Sequence, residues 1–126
     1  MNTKQLSQLR YLKKEIEITQ TQITEIERTI EETESWPNAS AQPLQEELAH
    51  CKRQLERRVK KSVSEYKRLV CGIAKIKDSL LRQILILRFI QGLTWLQTAG
   101  AIGGGNTPDG LRMMVKRYLQ RAGGSD

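Results

Sequence analysis

The sequence predicts an all-α protein: a long antiparallel helical hairpin of coiled-coil type, followed by a compact bundle of three short helices. Three observations carry that reading. Apolar residues recur in steps of three and four from Leu9 to Ile76, the spacing of one helix face. Prolines and clustered glycines interrupt the pattern mainly at 37–43 and again from Gly92 onward. Aromatic residues make up only 5% of the chain, which suits helices with one buried stripe better than an all-β core.

The first helix carries a heptad seam. Leu9, Ile16, Ile23 and Ile30 recur every seven residues, and Leu12, Thr19 and Ile26 form the companion row. A seam this narrow needs a partner helix, because one helix alone cannot bury it. The stretch "SWPNASAQP", Ser35 to Pro43, ends this helix, and Ser40 is the expected cap of the next, with Pro43 in its first turn. The second helix is expected from about Ala41 to Lys77, on the stripe Leu44, Leu48, Cys51, Leu55, Val59, Ser62, Tyr66, Leu69, Ile73 and Ile76. Folding the two against each other about the proline-containing break is the simplest arrangement. Heptads equally permit pairing between chains, so a homo-oligomer through the long helices is expected. Residues 1–77 thus form a hairpin region with a break near 35–43, residues 78–121 a second domain, and residues 122–126 a frayed tail.

Charge narrows the function. The chain has 21 Lys and Arg against 14 Asp and Glu, a net charge of +7. Residues 1–34 are slightly acidic, with five basic and seven acidic side chains, so the excess lies further along. An excess of this size favours a polyanionic partner, most often nucleic acid. The densest basic run, "KRQLERRVKK" from Lys52 to Lys61, reads first as a solvated helix face and second as a non-specific phosphate contact. Cys51 and Cys71 form no CxxC and His50 is the only histidine, so neither a metal site nor a cofactor is expected. The start "MNTKQLSQLRYLKKEIEI" has no apolar core of a secretory signal, and no apolar run is long enough for a membrane span. A cytoplasmic protein with reduced thiols and no membrane partner is the expectation. With no constellation for acid–base or nucleophilic work, an enzyme is not expected.

Three short helices follow Lys77. Asp78 caps the first, expected over Ser79 to Gln91 with Gly92 as its stop. Thr94 caps the second, from Trp95 to about Ile102. Thr107 caps the third, with Pro108 at its first position and its end near Arg121. The last two are joined by a turn holding Gly103, Gly104 and Gly105, with the small Ala99 where two helices would cross closely. This is the construction of a helix-turn-helix. Leu81, Ile84, Leu85, Phe89, Trp95, Ile102, Leu111, Met114, Tyr118 and Leu119 supply a shared core. Asp109, Gly110, Arg112, Met113, Lys116 and Arg117 fall off the buried stripe of the last helix. Arginine suits bidentate contact with guanine, lysine suits phosphate, and Thr107 with the free amides of the helix start suits a backbone phosphate.

"LRQILILRFIQGLTWLQTAGAIG" followed by "NTPDGLRMMVKRYL" resembles region 4 of sigma-70-type RNA polymerase factors. The family's features correspond to Leu87-Arg88-Phe89, Gly92-Leu93-Thr94, Thr98-Ala99 and Ile102-Gly103, and the match covers residues 78 to 121. A long helical segment before such a module is similar to small phage and prophage transcription regulators of the ArpU-like kind. The resemblance implies a regulator or accessory sigma-like subunit, with RNA polymerase as a possible second partner. It places the residues facing double-stranded DNA at Pro108, Asp109, Gly110, Arg112, Met113, Lys116 and Arg117. The turn "GGGN" is about two residues longer than the family's usual one, and Met113 stands where a polar residue is common. The alternative from another class is a coiled-coil interaction or assembly protein, with the carboxy-terminal bundle acting as a protein adaptor.

Overall fold

The structure, a computed structural model, describes residues 1–122; the tail expected beyond Arg121 lies, from residue 123 on, outside the described residues. Every described element is helical. In chain order they are α1 (Thr3–Glu32), a 3₁₀ turn (Thr33–Ser35), α2 (Asn38–Ala74), α3 (Ser79–Leu85) running into a π-helical segment (Ile86–Ile90), α4 (Trp95–Ile102) and α5 (Pro108–Arg121). No described helix is long and apolar enough to cross a membrane.

α1 begins with a reciprocal cap that the heptad pattern does not reveal. The backbone N–H of Gln5 donates to Asn2 Oδ1 at 2.9 Å, and that of Asn2 donates back to Gln5 Oε1 at 3.1 Å. Two free amides of the helix start are satisfied in this way. α2 starts earlier than expected, at Asn38, because the Pro37 carbonyl already accepts from the N–H groups of Ser40 and Ala41. Pro43 therefore lies inside the helix rather than in its first turn. Its missing N–H leaves the Ala39 carbonyl without a helical donor, at an exposed position where water can supply one. α2 also ends earlier, at Ala74, and the turn after it is closed by Ile76 N–H donating to Ile73 O at 3.1 Å. The helix expected to run from Ser79 to Gln91 changes pitch after Leu85. The Gln91 N–H reaches five residues back, to Ile86 O at 2.9 Å, so the last turn is wider than an α turn.

The chain divides into two compact units: Met1–Leu12 together with the chain from Glu65 onward, and Lys13–Ser64. The first unit has a true core. Leu6 and Leu9 of α1, Leu69 and Ile73 of α2, Ile76, and Leu81, Ile84 and Leu85 of α3 are all buried in it. Phe89, Ala99, Leu111, Val115 and Leu119 complete the cluster. Residues from both ends of the long helical stretch thus share one apolar cluster with the three short helices. Burying a leucine or isoleucine of this kind contributes about 1.5–3 kcal/mol each before the entropy cost is counted. On the solvent side of α2 in this unit, Glu65 pairs with Arg68 at 2.7 Å; the hydrogen bond from Arg68 holds the Glu65 carboxyl below its usual range.

The second unit is built differently. Its buried residues are Thr19, Thr33 and Ala41, all small. The heptad positions Ile16, Ile23, Ile26, Ile30, Leu44, Leu48, Leu55 and Val59 are only half-buried. Two polar contacts link α1, or the turn after it, to α2. Gln45 Nε2 donates to Thr33 Oγ1 at 2.8 Å, and Lys52 Nζ lies 3.5 Å from Glu27. Cys51, expected on the buried stripe, is exposed, and the stem of Lys52 is half-buried in its place on the way to Glu27. Arg28 pairs along its own helix with Glu25 and Glu32.

Candidate nucleic-acid interface

The local sequence fixes α4 and α5 at their starts. Thr94 closes a full capping box on α4: its hydroxyl accepts from Gln97 N–H at 3.1 Å, and its own N–H donates to Gln97 Oε1 at 2.9 Å. Thr107 caps α5, its hydroxyl accepting from Gly110 N–H at 3.0 Å, with Pro108 at the first helical position. Such a cap contributes about 1 kcal/mol. Between the helices, Gly103, Gly104 and Gly105 all adopt positive φ, at 71°, 67° and 78°. Any residue with a Cβ would be strained there, so the triple glycine is a requirement of this turn. Asn106 fastens it by donating from Nδ2 to Gly103 O at 2.8 Å.

Leu111, Val115 and Leu119, spaced four apart, are buried on one side of α5, and Ala99 of α4 is buried in the same cluster. Asp109, Gly110, Arg112, Met113, Lys116 and Arg117 are exposed on the rest of α5, and Pro108 is half-buried. Gly110 has a second reason to be glycine: a Cβ there would stand 2.9 Å from the Thr107 hydroxyl and displace the cap. Met113 is 39% exposed while Met114 is half-buried, so the two adjacent methionines have different surroundings.

Five of these exposed residues divide between two grooves flanking α5, and Asp109 lines neither. Arg112, Met113 and Lys116 line one of about 350 Å³, together with Val115, Thr3, Phe89 and Trp95. Gly110 and Arg117 line the other, of about 520 Å³, with Met114, Gln120 and Arg121. Gln120, Arg121 and Thr3 are neighbours the sequence reading did not single out. Helical spacing was a signal for Gln120 and Arg121, which stand three and four residues after Arg117; nothing local places Thr3 beside α5. The floor of the first groove is aromatic. Trp95 meets Phe89 edge to face, with centroids 6.0 Å apart, and the Arg88 guanidinium lies 5.3 Å from the Trp95 centroid.

The electrostatics of α5 are one-sided. Asp109 is its only acidic residue, against Arg112, Lys116, Arg117 and Arg121. Asp109 accepts from Arg112 at 3.2 Å, with both side chains well exposed. An exposed pair of this kind is worth roughly 0–1 kcal/mol, so Arg112 is released at little cost to a better acceptor. Among the described residues Lys116 and Arg117 have no carboxylate within 4.0 Å, and no three His, Cys, Asp or Glu side chains come together as a metal would require. The cysteines are exposed and unpaired. Comparison with protein-family models, with curated proteins and with solved structures finds no match for the chain.

Proposed function

We propose that the chain is a sequence-specific DNA-binding transcription regulator, or a sigma-like accessory factor, of phage or prophage type. In this reading α4 and α5 form a helix-turn-helix and α5 lies in the major groove. Arg112 reads a base edge, and Lys116 and Arg117 contact phosphates on either flank. Thr107 and the amides at the start of α5 meet a backbone phosphate. α3 and α4 hold α5 in place through the shared core. The observation that carries the reading is the exposed face of α5: a capped helix, anchored by three buried side chains, presenting four basic residues and one weakly paired acid. The resemblance of residues 78–121 to sigma region 4 supports the same reading and makes RNA polymerase a candidate second partner.

The long helices complete the proposal as an antiparallel hairpin that joins two copies. The half-buried isoleucines and leucines of Lys13–Ser64 support this, since a second copy would cover what one chain leaves open. A dimer also suits recognition of paired half-sites. The same observation favours the second reading, a coiled-coil assembly protein in which the carboxy-terminal bundle contacts protein rather than DNA.

The test is binding of the full chain to double-stranded DNA, with Arg112→Ala/Lys116→Ala beside it. Losing a base-reading arginine and a phosphate-binding lysine weakens specific binding by tenfold or more, at roughly 1–3 kcal/mol for the base contact alone. The thermal midpoint of the variant stays at the wild-type value, because both side chains are exposed. A variant that binds as tightly as wild type means that α5 does not face DNA. No DNA binding by the wild type at low salt, together with stable oligomers, selects the assembly reading.

A further inference from the structure

We propose that the opening turns of α1 carry a second contact to the DNA backbone, continuous with the face of α5; this rests on the DNA-binding reading above. The first fourteen residues contain Lys4, Arg10, Lys13 and Lys14 and no acid. Thr3, Ser7, Arg10 and Tyr11 follow helical spacing along one side of α1. Thr3 lines the groove that holds Arg112 and Lys116. Ser7, Arg10 and Tyr11 line a separate small cavity of about 150 Å³, closed by Arg88 and Phe89. Phe89 borders both, so the two cavities adjoin along α1.

The small cavity is built for an anion. Arg10 and Arg88 both line it and no acidic side chain does. Arg88 spends one donor on the Leu93 carbonyl, at 3.1 Å, while its Nε is buried without an acceptor. The stem of Arg10 lies over Gly92: a Cβ at that position would stand 2.8 Å from Arg10 Cδ, and Gly92 has a φ of 78°. The absent side chain therefore gives Arg10 its seat beside the cavity. Ser7 and Tyr11 add hydroxyls, and Tyr11 is 71% exposed.

The spacing fits a nucleic-acid strand. Thr3 and Arg10 are about 10 Å apart along the helix axis, close to the axial rise of three nucleotides of one DNA strand, roughly 3.4 Å each. A strand whose phosphates meet Lys116 at α5 can continue along α1 to Arg10. Two basic side chains without acidic neighbours match phosphate in sign, and the hydroxyls match it as hydrogen-bond donors.

The experiment is a salt titration of full-length protein binding to a labelled 30-base-pair duplex of mixed sequence, between 50 and 200 mM salt. Arg10→Gln, Arg10→Lys and Ser7→Glu are compared with wild type and with Arg28→Gln, a control in the acidic stretch of α1. Each phosphate contact adds about 0.9 to the slope of log affinity against log salt. Arg10→Gln is expected to flatten the slope by about 1 and to weaken binding several-fold, with Arg10→Lys restoring the slope. Ser7→Glu, at an exposed position unconnected with the Gly92 seat, weakens binding at least as much, and Arg28→Gln changes neither quantity. If Arg10→Gln unfolds the chain, Ser7→Glu decides alone. Wild-type slope and affinity in the α1 variants, with binding lost in Arg112→Ala/Lys116→Ala, overturns the α1 contact and leaves the α5 reading standing. In that case the cavity belongs to another anion, such as an acidic segment of a protein partner. If wild type does not bind the duplex at 50 mM salt, both fall.

Discussion

The two units of this chain treat their apolar residues and their charges in opposite ways. Met1–Leu12 with 65–122 holds every large apolar side chain that is fully buried, and carries twelve Lys and Arg against three Asp and Glu. Lys13–Ser64 buries only Thr19, Thr33 and Ala41, and its nine basic and ten acidic residues nearly cancel. One unit has finished its core and presents positive charge, which suits the DNA-binding role proposed for it. The other is near neutral with an apolar stripe still half open, which suits the association role proposed for it. Charge and burial thus distinguish the two units along one chain, independently of any motif.

The largest difference between the units is expected when side chains are cut from the two stripes. Leu85→Ala, in the finished core, is expected to cost about 2–5 kcal/mol in chemical unfolding. Ile23→Ala, on the open seam, is expected to cost about 1 kcal/mol or less in dilute protein, where a half-buried side chain loses little. Its effect grows with protein concentration if a second copy covers the seam. Equal costs at low concentration would mean that the seam is already closed within one chain.

Two smaller changes sharpen the picture at α5. Thr107→Ala removes the cap and is expected to cost about 1 kcal/mol, with DNA binding reduced as the helix start frays. Asp109→Asn removes the one acid of α5. It costs a few tenths of a kcal/mol through the helix dipole and tightens DNA binding a few-fold, because Arg112 is released and a repelling charge is gone. Weaker binding in Asp109→Asn would instead show that the carboxylate positions Arg112 or reads a base amine.

The smallest effect belongs to Glu65. Its carboxyl is held below the usual range by Arg68, so the pair's contribution is complete above the ordinary carboxylate pKa and is lost as pH falls through the lowered one. Both groups are solvated. Glu65→Gln is therefore expected to leave the melting temperature near pH 7 within error, with any difference fading below pH 4, measured by circular dichroism.

Much of this fold was legible because it depends on local rules. The caps at Asp78, Thr94 and Thr107 stand where helices begin, and Gly103 to Gly105 stand where the backbone needs positive φ. The long helices follow from spacing alone. What was not legible depends on contacts distant in sequence. A line drawn at Asp78 misses that Leu6 and Leu9 share a core with Leu119, because heptad spacing says that a residue is buried but not against what. The change of pitch after Leu85 has no signal in "ILRFI", and the end of α2 at Ala74 has only Gly72, a weak helix former two residues before it, as a local sign. At the candidate interface, the amphipathic pattern of α5 showed which residues leave the core. It could not show that five of them divide between two grooves, or that Thr3 lines one of these.

The most direct test of the central claim is selection from sheared DNA of the genome that encodes the chain. Full-length protein is incubated with the fragments at near-physiological salt, and the DNA it retains is sequenced, with Arg112→Ala/Lys116→Ala alongside. A regulator that reads DNA through α5 enriches one or a few promoter-proximal sites and loses them in the variant. Uniform, salt-sensitive recovery that is the same in both proteins would contradict the claim, since it would leave only phosphate attraction at the basic surface.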